Sequence, residues 1–157
     1  LFTGSAQTGK TFLARRVEAL LVADSRHAYL LEGENLLQGL DADLSAADPS
    51  FASERVRRYG EVARLLIDTG LIVVSTSKTF GINYQRMAEM IRTLVQPAPV
   101  IAVHMSRAGE EPPPNTDLHF AGPQDFDAAA RQILEELKKR GVLIQPSGTK
   151  SSIQYSI

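Results

Sequence analysis

The chain contains no cysteine, so a disulfide framework, a thiolate metal site and a cysteine nucleophile are all excluded. An excess of charge of either sign is also missing. The formal net charge is −1 at pH 7 and the isoelectric point is near 6.3. Without a broad cationic surface, neither nucleic acid nor an anionic membrane is an expected partner. No apolar run approaches the roughly 20 residues that span a bilayer, and no signal-peptide pattern is present, so a soluble, cytoplasmic protein is expected. The three histidines, His27, His104 and His119, lie far apart in the sequence, and there is neither an internal repeat nor a low-complexity segment. What is there suffices for one ordinary globular domain: 157 residues, 43% of them hydrophobic. The first residue already lies inside an expected strand, so the chain reads as a domain cut from something longer.

The most informative segment is Gly4-Ser5-Ala6-Gln7-Thr8-Gly9-Lys10-Thr11, which fits the phosphate-binding pattern G-x-x-x-x-G-K-[ST] at every fixed position. Its context agrees. Leu1-Phe2-Thr3 reads as the end of a strand, and residues 11–22 carry Leu13, Val17, Leu20 and Leu21 at helical spacing. Such a loop curls its amide N–H groups toward phosphate oxygens, and the following helix adds the positive end of its dipole. Lys10 is placed to reach the β- and γ-phosphates of a nucleotide, and the Thr11 hydroxyl to take one position on Mg²⁺. Gln7 stands where a glycine is common, which predicts slight backbone strain in the loop.

Strand and helix patterns alternate along the rest of the chain. Ala28-Tyr29-Leu30-Leu31, residues 70–75 and residues 99–104 read as buried strands. Helical patterns cover residues 52–68, with Val56, Val62 and Leu66 on one face, then 83–94, then 124–140 with Phe126, Ala130, Ile133 and Leu137. This predicts a three-layer α/β fold of the P-loop nucleoside triphosphate hydrolase and kinase type, with a mostly parallel sheet and ligands at the C-terminal strand ends. Glu32 and Glu34 follow the second strand there; each is either a working carboxylate or part of a solvated acidic turn. His104 closes a strand, either near a ligand or as a packed, hydrogen-bonded side chain. Prolines 112–114 force a turn or exposed loop. Lys138-Lys139-Arg140 suits the negative end of a helix dipole and is assigned no function. Residues 1–145 form the expected domain, and residues 146–157 a tail that alternates like an edge strand.

Taken in order, these segments resemble the adenylylsulfate kinase family. The similarity rests on Leu1-Phe2-Thr3-Gly4 with Gly9-Lys10-Thr11, on Tyr29-Leu30-Leu31-Glu32-Gly33-Glu34-Asn35 with Gly39-Leu40, and on Arg57-Arg58-Tyr59-Gly60-Glu61-Val62-Ala63 before Gly70-Leu71-Ile72-Val73. Asn115-Thr116-Asp117-Leu118 resembles the entry to the last strand. The resemblance implies an ATP- and Mg²⁺-dependent kinase that phosphorylates the 3′-hydroxyl of adenylyl sulfate. It further implies Lys10 and Glu32 as catalytic groups, Thr11 and Glu32 toward the metal, and Glu34, Asn35, Arg57, Arg58 and Phe80 toward the acceptor. A homodimer, or fusion with another sulfate-activating domain, is the implied assembly.

The departures from the family pattern gather on the acceptor side. Glu32 and Glu34 replace two aspartates, and one added methylene can shift a carboxylate by about 1 Å, enough to cost on the order of 100-fold in rate. Leu37, Ala52 and the segment Thr79-Phe80-Gly81-Ile82 stand where arginines are expected, each arginine being worth about 1.5 to 3 kcal/mol to an anion. Arg55 replaces an asparagine, and Arg55 and Lys78 are the available substitutes for the missing cations. Residues 105–114 bridge the gap that a long basic lid fills in the family. The alternative expectation is therefore a catalytically degenerate nucleotide-binding regulatory or scaffold domain of a larger sulfate-activating protein.

Overall fold

The computed structural model describes residues 1–77, 83–122 and 125–143. Phe80 with its neighbours 78–82, and the tail 146–157, lie outside the described residues. The strands are β1 (Phe2–Gly4), β2 (Ala28–Glu32), β3 (Ile72–Thr76), β4 (Val103–Ser106) and β5 (Leu118–Ala121). The helices are α1 (Lys10–Ala23), α2 (Phe51–Asp68), α3 (Tyr84–Leu94) and α4 (Phe126–Lys139). A short 3₁₀ turn, Gly33–Leu36, follows β2. The sheet runs β2-β3-β1-β4-β5 with every pairing parallel.

Apolar residues sort the helices onto the two faces. Leu13, Val17 and Leu21 of α1 join Ala130 and Ile133 of α4 against Phe2, Val103 and Met105. On the other face Val56, Tyr59 and Ala63 of α2 meet Met87 and Ile91 of α3 over Leu31. The central strand β1 therefore delivers its loop to the middle of the C-terminal edge, where ligands collect in open parallel sheets.

Several expected boundaries move, for local reasons. The strand expected from residue 70 starts at Ile72, because Gly70 and Leu71 still close the end of α2 on the Ile67 and Leu66 carbonyls. The run from Pro99 enters the sheet only at Val103. Before that, the Ala102 N–H is taken by the Asp117 carboxylate at 2.6 Å. Tyr29 is 47% exposed although its run reads as buried, since β2 is an edge strand covered mainly around Leu31. The last helix starts at Phe126, capped by the Asp125 carboxylate, which accepts from the N–H groups of Asp127 and Ala128.

Asp117 ties three segments together. Beyond the Ala102 N–H it accepts from Arg92 at 2.7 Å and Arg140 at 2.9 Å. Burial pushes this carboxyl up, but the Ala102 N–H and the two guanidiniums outweigh it and hold it below its usual range. Asp117→Ala should therefore lose about 2 to 3 kcal/mol of unfolding free energy at pH 7, by the usual worth of charge-assisted hydrogen bonds, measured by urea denaturation. Because the folded value is the lower one, this contribution is fully present above the unfolded carboxyl range and is lost as the pH falls from there through the folded value.

Candidate functional site

The loop after β1 is held from beneath by its neighbours. The Ser5 N–H donates to the Met105 carbonyl on β4 at 3.0 Å, and the Tyr84 hydroxyl donates to the Gly4 carbonyl at 2.7 Å. Thr3 Oγ1 and His104 Nδ1 share a hydrogen bond of 3.0 Å, and the Tyr84 ring stands edge-on to His104 at 5.1 Å. Within the loop, Thr8 Oγ1 donates to the Ser5 carbonyl at 2.9 Å, and Lys10 Nζ donates to the same carbonyl. Gly9 at φ +85° caps α1 with no side-chain acceptor on the first-turn amides. Gln7 sits at φ +60°, a left-handed conformation that costs a non-glycine residue about 1 kcal/mol. The strain expected at this position is thus visible in the backbone.

Beside the loop lies a cavity of about 460 Å³ lined by Gln7 to Gly9, by Ser106 to Ala108 and by Phe126. Phe126 packs edge-on against Phe12 at 4.9 Å. One wall is thus aromatic, and Arg107 supplies a cation. A second cavity, of about 190 Å³, is lined mostly by core side chains such as Val17, Val74 and Ile133 and belongs to the packing.

Residues 1–112 match the family model for adenylylsulphate kinase. The chain belongs to the adenylylsulphate kinase family. Among its relatives, the adenylyl-sulfate kinase of Aeromonas hydrophila is 42% identical over 94 residues, covering 60% of this chain and 46% of that protein. The Geotalea daltonii enzyme is 37% identical over 105 residues, covering 67% of this chain and 50% of that protein. The chain thus spans about half the length of these two relatives. The Yersinia pestis adenylyl-sulfate kinase matches over 90% of this chain and 78% of its own length at 29% identity. Among solved structures, an alanine-for-cysteine mutant of the Mycobacterium tuberculosis APS kinase superposes with a TM-score of 0.69 at 29% identity, over 87% of this chain and 94% of that one. The same kinase in complex with AMPPNP and APS gives 0.70 over 87% and 95% of the two chains. At 24% identity that likeness speaks to the fold alone.

The remaining site residues of this adenylylsulphate kinase family member fall into two groups. Glu32 ends β2 and accepts from Arg15 Nη2 of α1 at 2.9 Å, which turns it toward the helix whose first turn carries Thr11. Glu34 and Asn35 lie on the 3₁₀ turn directly after it, Asn35 exposed. Arg57 and Arg58, by contrast, are drawn into α2's own ion pairs. Arg57 makes two bonds to Glu54, at 2.8 and 2.7 Å. Arg58 donates to Glu54 at 2.9 Å, to Asp43 at 2.9 Å and to the Leu40 carbonyl. Arg55 pairs with buried Asp41 at 3.3 Å and lies over the Phe51 ring.

Sequence reasoning missed three supports of the site. Tyr59 donates from inside the core to the carbonyls of Leu31 and Thr76 at 3.0 Å each, joining the ends of β2 and β3. Tyr84 reaches the loop from 80 positions away. Glu110, read only as part of the segment 105–114 that bridges two strands, contacts Ser5 at 2.6 Å. No local pattern marks such long-range partners.

His104 is 4% exposed and bonded to Thr3, the packed, hydrogen-bonded arrangement. Burial lowers its pKa below the usual 6.5, with His119 and Lys10 adding to the effect and Glu110 opposing it. The folded chain therefore keeps this imidazole neutral after the unfolded chain has begun to protonate. Stability should fall as the pH drops through about 6.5. A thermal melt series from pH 7.5 to 5.5 should show that fall, and His104→Gln should flatten it.

Proposed function

We propose that this domain binds Mg²⁺-ATP on Gly4 to Thr11 and transfers the γ-phosphate to the 3′-hydroxyl of adenylyl sulfate. One observation carries the reading: a complete phosphate loop stands at the C-terminal end of the central strand in a chain of the adenylylsulphate kinase family. The adenylyl-sulfate kinase of Yersinia pestis, which matches over 90% of this chain, supports it.

In this reading Lys10 leaves the Ser5 carbonyl to meet the β- and γ-phosphates, and the first-turn amides of α1 hold their oxygens. The aromatic and cationic walls of the adjacent cavity suit a purine base. The hard oxygens of Thr11 and Glu32 fit Mg²⁺, which when bound neutralises charge across the transferring phosphate. Among the described residues no cluster of three or more metal-ligating side chains exists, which suits an ion that arrives with the nucleotide's phosphates. Glu32 or Glu34 accepts the acceptor's hydroxyl proton, and Asn35, Arg57, Arg58 and Phe80 are assigned to acceptor binding. We also place the domain in the cytoplasm; among the described residues no helix is long and apolar enough to cross a membrane.

A second reading has its own observation. The arginines available to an anionic acceptor are already paired with Asp41, Asp43 and Glu54, and Leu37 and Leu40, in the segment that leads to α2, are exposed. This favours a domain that binds nucleotide without turning over adenylyl sulfate, as a regulatory or scaffolding part of a larger sulfate-activating protein. Calorimetric titration with Mg²⁺-ATP, then with adenylyl sulfate in the presence of ADP, followed by a coupled assay of ADP release, separates the two. Turnover establishes the kinase. Nucleotide binding with neither acceptor binding nor turnover establishes the second reading, and no ATP binding removes both.

A further inference from the structure

The connection from β4 to β5 returns across the mouth of the phosphate loop. Its first residues make a tight turn in which the Glu110 N–H donates to the Arg107 carbonyl at 3.2 Å. Gly109, third in that turn, has φ +84°, as a type II turn requires. Ser106 secures the turn from the strand end. Its hydroxyl lies 3.1 Å from the Arg107 carbonyl, 3.2 Å from the Glu110 carbonyl and 2.8 Å from His119 Nε2. From this fixed base one carboxylate oxygen of Glu110 accepts two bonds, from the Arg107 N–H at 3.0 Å and from the Ser5 hydroxyl at 2.6 Å.

Ser5 is the second residue of the phosphate loop, so an acid tethered by a short turn sits on the surface that anions must approach. The same residue's carbonyl holds Lys10. A bound triphosphate would disturb both contacts. It recruits the ammonium of Lys10, and its own charge repels a carboxylate placed at the entrance.

We propose that Glu110 is a built-in competitor of the nucleotide: docked on Ser5 it occupies the loop, and phosphate binding expels it. The inference rests on nucleotide binding at Gly4 to Thr11. The Ser5 hydroxyl, with the Arg107 N–H, holds the Glu110 carboxyl below its usual range, so the competitor is charged near neutral pH. The contact is exposed, and removing one charge-assisted bond in water should change affinity by roughly three- to tenfold.

The test titrates the wild-type domain and the variants Glu110→Ala, Glu110→Gln and Glu111→Ala with ATP, with and without Mg²⁺, and with inorganic tripolyphosphate. Glu110→Ala should bind all of them about three- to tenfold more tightly, Glu110→Gln less so, and Glu111→Ala within twofold of wild type. Equal gains in Glu110→Ala and Glu111→Ala would reduce the effect to general charge and overturn the proposal, as would no gain at all. A loss confined to Mg²⁺-ATP would make Glu110 a metal ligand instead. Hydrogen exchange at the amides of residues 107–110, measured without nucleotide, should quicken in Glu110→Ala; unchanged exchange refutes the docking itself. If no variant binds ATP or tripolyphosphate while this exchange still quickens, the nucleotide reading has failed rather than the docked contact, and the competitor role falls with it.

Discussion

Lys10→Ala should weaken Mg²⁺-ATP binding by about 100-fold or more while the melting temperature stays within about 2 °C of wild type. The affinity loss follows from two charge-assisted contacts, one to each terminal phosphate, each worth about 1.5 to 3 kcal/mol, with tenfold in affinity for every 1.4 kcal/mol. The small stability change follows from where Lys10 sits. It opens α1, half-buried, and its ammonium donates to the Ser5 carbonyl of its own loop. Removing that bond leaves the α1 core residues Leu13, Val17 and Leu21 in place. Lys138→Ala, which removes a surface pairing with Glu135, is the matching control and should leave the affinity unchanged. Calorimetry and a thermal melt on the same samples decide the matter. Unchanged affinity in Lys10→Ala would move the nucleotide away from this loop.

The alternation of apolar runs with helical faces made the parallel α/β architecture legible, because both signals are local: a strand buried on both faces is continuous in sequence, and a helix face recurs every three to four residues. The strand-loop-helix unit around Gly4 to Thr11 was legible for the same reason, its residues being adjacent in the chain. Boundaries were less so. Pro99 to Ala102 looks like strand by composition, but the Ala102 N–H goes to the side chain of Asp117, a residue whose partners only the fold brings near. Tyr29 looks buried in its run and is exposed because strand order, which the run does not encode, places β2 at an edge.

The supports of the site were the least legible part. Tyr84 and Glu110 act on Gly4 and Ser5 across separations of 80 and 105 positions, and neither lies in a motif. The pairing of Arg57 and Arg58 was open to inference, since Glu54 and Glu61 stand three or four residues from them on one helix, the spacing at which side chains meet. A pair of arginines next to two such acids is as ready to bind its own helix as a ligand. Asp43, the remaining partner of Arg58, comes from the irregular segment before α2 and could not be anticipated.

The largest stability effect is expected from Gly4→Ala, and comparison with Gly9→Ala shows why the two glycines of one loop are not equivalent. A Cβ on Gly4 would lie 1.8 Å from the Met105 carbonyl oxygen and within 2.8 Å of its backbone carbon and nitrogen, and the residue sits at φ +125°. That oxygen belongs to β4 and accepts the Ser5 N–H at 3.0 Å. Relief thus requires parting β1 from β4 at the centre of the sheet. Backbone strain and lost packing together should cost on the order of 4 kcal/mol or more, lowering the melting temperature by roughly 10 °C and abolishing nucleotide binding with it. A Cβ on Gly9 would instead meet the tip of the Phe126 ring at 2.6 Å, at φ +85°. Its only ring partner among the described contacts, Phe12, is 62% exposed, so Phe126 can turn aside. Gly9→Ala should then cost only the left-handed strain, about 1 to 2 kcal/mol, yet still lose most nucleotide affinity, because the displaced ring lines the cavity beside the loop. Urea denaturation and ATP titration of both variants read the two effects separately. A Gly4→Ala protein as stable as Gly9→Ala would mean that β1 and β4 do not approach as closely as the Ser5 to Met105 bond requires.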